Sequence, residues 1–108
     1  MRNWSFVGCA LFLVATSSSF ADGPSIDVGR ELAQDNCSRC HAIGRAGSSP
    51  YAPAPPFRTL HERYNVENLQ EALAEGIFVG HPEMPQFQFS PVQVESFIQY
   101  LKSFETER

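Results

Sequence analysis

Lysine is almost missing from this chain: Lys102 is the only one among 108 residues. Eight basic side chains face twelve acidic ones, giving a formal net charge of −4 at pH 7 with histidine neutral. No basic run interrupts that balance, which argues against nucleic acid or anionic lipid as the main partner. Long apolar runs are also absent. The one apolar stretch, "FVGCALFLVA", is about half the ~20 residues that a membrane span needs. No segment keeps up a two-residue alternation of apolar and polar side chains, so nothing points to a half-buried sheet. Methionine is scarce, and apart from the initiator only Met84 remains.

The apolar stretch has a different meaning. Arg2 supplies a positive start, the stretch itself an apolar core, and "TSSSFA" places small Ser19 and Ala21 before Asp22. That order reads as a secretory signal over residues 1–21, cleaved before Asp22, and it makes the protein periplasmic. Residues 22–108 then form one domain with no membrane span, within the usual range of roughly 50 to 250 residues. Cleavage removes Cys9 and Arg2, leaving two cysteines and seven basic against twelve acidic side chains. Too few apolar residues precede Cys9 for it to be a lipid attachment point. A domain this small buries only about 60 to 65 percent of its unfolded surface, a marginal core unless something else fills it. Phe57, Phe78, Phe87, Phe89, Phe97 and Phe104 would suit a large flat apolar cofactor.

The remaining punctuation is helical. "SIDVGRELAQDN" has Ser25 as N-cap, Asp27 in the first turn, and Val28, Leu32 and Ala33 on one face. "AIGRAGSSPYAPAPP" is a Gly-, Ser- and Pro-rich loop. "FRTLHERY" suggests a short helix, and "NVENLQEALAEG" a clearer one, capped by Asn65, stopped by Gly76, with Val66, Leu69, Ala72 and Leu73 inward. After "IFVGHPEMPQFQF", where Pro82 and Pro85 exclude regular helix, "SPVQVESFIQYLKSF" starts with Ser90, Pro91 and a capping-box Gln93. Val94, Phe97, Ile98, Leu101 and Phe104 form its apolar stripe. The fold class is all-α with long loops.

"CSRCH", Cys37 to His41, carries the chemistry. A thioredoxin-type dithiol needs its cysteines at a helix start beside a strand, and here they follow a helix. Zinc needs four ligands, and the pentad supplies three at most, so His61 or His81 would have to complete the set. Covalent haem uses every member: two thiols reach two vinyl groups, and His41 is placed under the iron. A sixth ligand is then sought downstream. Met84, between Pro82 and Pro85, is the candidate; a lone methionine is otherwise most often core filler.

With Gly29, "CSRCH", "APPF", "MPQF" and "FIQYL" in that order, the chain resembles the small bacterial class I c-type cytochromes over almost all of residues 22–108. The resemblance implies a cytochrome c fold of three to five helices with long loops wrapped round one haem c, attached covalently through two thioethers. It implies Cys37, Cys40, His41 and Met84 as cofactor-binding residues, with His41 and Met84 on the metal. It also implies that a loop-proline carbonyl, Pro55 or else Pro53, accepts the proton on the other nitrogen of His41. The first and last helices would cross at Gly29 against Phe97 or Tyr100. Ala33 stands where an aromatic is common in the mitochondrial members, and the lysines those proteins place round the haem edge are missing. Arg39 and Arg45 are the basic residues near the pentad.

The function expected is that of an exported monohaem carrier of single electrons, not an enzyme, docking transiently on a dehydrogenase, oxidase or reductase. The alternative is a haem peroxidase or gas-binding protein with an open sixth position. His81 could compete with Met84 for iron, although loop histidines are usually surface groups, as His61 would be. Tyr64 and Tyr100 are expected to pack, and Glu62, Glu67, Glu71 and Glu75 to face solvent.

Overall fold

A computed structural model of the chain describes residues 2–3, 5, 8–15, 23–76 and 83–106. The expectations placed on Ser19, Ala21, Asp22, Phe78, His81 and Pro82 lie outside the described residues. Among the described residues there is no strand. The helices are α1 (Ile26–Asn36), α2 (Leu60–Arg63), α3 (Leu69–Glu75) and α4 (Pro91–Lys102), with one-turn 3-10 segments at Phe57–Thr59 and Val66–Asn68 leading into α2 and α3.

Each start has a local cause. Extended Ser25 accepts the Val28 N–H on its hydroxyl, and Ser90 and Gln93 close a reciprocal capping box at α4, with Pro91 inside its first turn. Asn65 accepts from the Glu67 N–H, so its cap opens the 3-10 turn rather than α3 itself. Gly76 ends α3 at φ 73°, a left-handed position that a side chain would strain.

The helix pair α1 and α4 organises the domain. A Cβ on Gly29 would stand 2.0 Å from the Ser96 carbonyl oxygen and 2.7 Å from Tyr100 Cβ, so the helices touch backbone to backbone there. Tyr100 is therefore the aromatic at the crossing, while Phe97 turns toward the core beneath. That approach rotates Gly29 and Ala33 into the contact and leaves Val28 and Leu32 half-buried, with Ala33 fully enclosed. Buried Ser96 accepts the Ser25 N–H at 3.1 Å, which ties the start of α1 to the middle of α4 and satisfies a hydroxyl that would otherwise be costly to bury.

Beneath the crossing, Phe57, Leu60, Val66, Leu73, Val94, Phe97, Ile98, Leu101 and Phe104 make one core. All five residues of the expected α4 stripe are in it, Phe104 lying just beyond the helix. The four glutamates are exposed; Glu67 pairs with Lys102 across the surface, a contact worth little in water.

Gly29→Ala is expected to lower the unfolding free energy by about 3 kcal/mol, at the upper end of overpacking costs. The gain of about 1 kcal/mol in helix propensity does not offset it. Denaturant titration of the two proteins measures the difference.

Candidate functional site

The end of α1 positions the pentad. Cys37 caps the helix, its N–H bonded to the Ala33 carbonyl at 2.9 Å, and the chain then winds one more turn: Cys37 O accepts from His41 N at 2.9 Å and from Cys40 N at 3.2 Å. Residues three apart on a helical turn share a face, so both sulfurs stand on one side and the imidazole follows round the turn. Burial, and secondarily the neighbouring Cys40, pushes the Cys37 thiol up to about 12.

The loop of residues 42–56 folds back on this turn. Tyr51 N donates to Cys40 O at 3.1 Å, Phe57 N to Ala42 O at 2.9 Å, and the Ala42 N–H to the Ser49 hydroxyl at 3.0 Å. The return carries Pro55 to His41: with its proton on Nδ1, the imidazole donates to the Pro55 carbonyl across 2.7 Å. Nε2 is then left as the lone-pair nitrogen. Phe57 packs on the ring with centroids 4.9 Å apart, and Phe97 meets Phe57 edge-on at 5.8 Å. Tyr100, reaching from α4, donates its hydroxyl to the Ile43 carbonyl.

These elements border a cavity of about 480 Å³, within the range of small-molecule and cofactor sites. Cys37, Cys40, His41, Pro55, Met84 and Phe87 all line it. The segment bearing Met84 is tied to the domain where Phe89 N donates to Leu73 O at 2.8 Å, and where Phe89 packs against Phe97 and Phe87 at 5.9 Å each. Asp35, Arg39 and Glu83 add charge to the lining, whereas Arg45 is not part of it.

Several features went unseen in the sequence. Tyr51 lines the cavity, Ser49 turns inward from a loop in which the sequence singled out only the prolines and Arg45, and Phe57 serves the imidazole as well as the core. His61, expected at the surface, is half-buried with Nδ1 enclosed and unpartnered among the described residues, as is Nη1 of Arg58. No spacing rule gives such positions, because they depend on where the loop closes. Among the described residues no three His, Cys, Asp or Glu side chains cluster as a metal-ion site.

A family model of cytochrome c matches residues 26–105, and the chain belongs to that family. It is accordingly a haem-binding electron-transfer protein. Neither the curated proteins nor the solved structures give a match. A mostly apolar cavity open on one side, a thiol pair and an imidazole whose second nitrogen is already engaged fit the group that this family binds.

Phe57→Ala is expected to cost about 3 to 5 kcal/mol, since it empties a core position and frees one face of the imidazole. Phe57→Leu should cost less than about half of that. Thermal and denaturant unfolding of both variants tests the order.

Proposed function

We propose that the chain is an exported monohaem c-type cytochrome that carries single electrons between redox proteins and performs no substrate chemistry of its own. One observation carries the reading: both cysteines, His41 and Met84 border a single cavity, and the Pro55 carbonyl 2.7 Å from His41 Nδ1 keeps Nε2 for a metal. When bound, haem c supplies an iron that takes up and gives back one electron.

The protein's own residues do the rest. Cys37 and Cys40 would hold the group through two thioethers. His41 would be one axial ligand, made more basic by its bond to Pro55, and Met84 the other, a thioether that favours ferrous iron and raises the potential. Phe87 and Pro55 line the cavity and Phe57 packs on the imidazole, so these residues would cover part of the bound group. Residues 1–21 act as the cleaved leader to the periplasm. Leu11, Phe12, Leu13 and Val14 are 80 to 90 % exposed and take no part in the core, which suits a segment discarded after export. A dehydrogenase, oxidase or reductase would be the docking partner, met without a lysine ring.

Three outcomes test the reading. Mature protein from an exporting host with haem-attachment machinery should begin at Asp22 and carry the mass of one haem; a bare polypeptide mass would sink the proposal. Its reduced form should be six-coordinate, low-spin and indifferent to carbon monoxide. Met84→Ala should abolish the methionine–iron charge-transfer band, admit carbon monoxide and lower the midpoint potential. Rapid gas binding by the unaltered protein would favour the open-site alternative instead.

A further inference from the structure

The residue after His41 is gripped at both of its backbone groups by the loop that brings Pro55 back. The Ala42 carbonyl accepts the Phe57 N–H at 2.9 Å, and the Ala42 N–H donates to the Ser49 hydroxyl at 3.0 Å. The first of these contacts, like that between Tyr51 and Cys40, is backbone to backbone. The Ser49 contact is the one supplied by a side chain. It exists because the chain reverses at Gly47, whose φ of +92° is left-handed, so that a hydroxyl seven residues along returns to the Ala42 amide. Ser49 is half-buried, and its partner amide belongs to the peptide that follows the imidazole-bearing residue.

We propose that Ser49 is a positioning residue for the axial histidine: by holding the Ala42 amide it fixes the loop at the separation that keeps Pro55 O hydrogen-bonded to His41 Nδ1. The inference rests on the haem reading given above. A strong bond at Nδ1 makes the imidazole a better donor and favours the ferric state. Without the Ser49 hydroxyl the Ala42 amide has lost its acceptor, and the side-chain tie between the middle of the loop and the peptide after His41 is gone. The Pro55 carbonyl then drifts outward, the imidazole becomes less basic, and the ferrous state gains.

Ser49→Thr and Ser49→Val have nearly the same shape and differ in whether a hydroxyl is present. In the mature haem-loaded proteins, Ser49→Thr should keep the midpoint potential of the unaltered protein. Ser49→Val should shift the one-electron equilibrium toward the reduced form about threefold, or about 30 mV at 59 mV per tenfold. In the ferrous state its His41 Nδ1–H proton resonance should also move toward that of a weaker hydrogen bond. Equal potentials for the two variants would overturn the proposal, as would faster exchange of the Ala42 amide with no change in potential. Ser49→Ala serves as the second hydroxyl-free variant; should neither it nor Ser49→Val retain haem while Ser49→Thr does, the hydroxyl is a folding requirement and the positioning role falls. Absence of haem from the unaltered protein would instead defeat the underlying reading, and the mass of the purified chain separates the two failures.

Discussion

The contact at Gly29 is the constraint from which the rest follows. Only a residue without a side chain lets α1 lie against the Ser96 carbonyl, and the Ser25 amide bonded to Ser96 fixes how far α1 has slid along α4. With the angle and the slide both set, the C-terminal end of α1 has one place to go. Cys37 is that end, so the thiols and the imidazole inherit their position from a glycine eight residues earlier. A site that must hold a rigid group at several points needs such a foundation, because its own segment is short and irregular.

From the pentad onward order comes from hydrogen bonds rather than from helix. The loop of residues 42–56 has no regular element, yet its route is set by contacts to Cys40, His41, Ala42 and, from α4, Ile43. Its prolines have no N–H to satisfy, which reduces the number of donors a buried loop must pair. On the far side an aromatic series, Phe87 to Phe89 to Phe97 to Phe57 to His41, runs through ring contacts between 4.9 and 5.9 Å. Phe97 of α4 thus packs against Phe89 of the Met84 segment on one side and against Phe57, the neighbour of the imidazole, on the other.

The parts that were legible in the sequence are those governed by local rules. Ser25 and Ser90 announce helix starts because a hydroxyl can reach only the next turn, and the α4 stripe follows from the 3.6-residue period. The inward face of α1 was read less well. Ala33 is buried as expected and Gly29 lies at the crossing that the resemblance implied, but Val28 and Leu32 stay half-buried, because close approach favours the smallest side chains. The three-fixed-letter pentad was legible as chemistry, and the carbonyl beside His41 came only from the family resemblance. Ser49, Tyr51 and the enclosed nitrogens of Arg58 and His61 were not legible, since each depends on a loop closure between residues far apart in the chain.

The size of the cavity bears on why the fold needs its occupant. The cavity of about 480 Å³ is open on one side, so water that enters it wets Phe87, Met84 and the prolines and forfeits burial that a chain of this length can least spare. The haem that this family binds is for these residues the missing centre of the core. Cofactor retention and folding then draw on the same contacts, and the thioether attachment proposed for Cys37 and Cys40 would remove the state in which the core is open. The candidate site and the stability of the domain are in this sense one piece of structure, resting on α1 at one end and on Phe97 at the other.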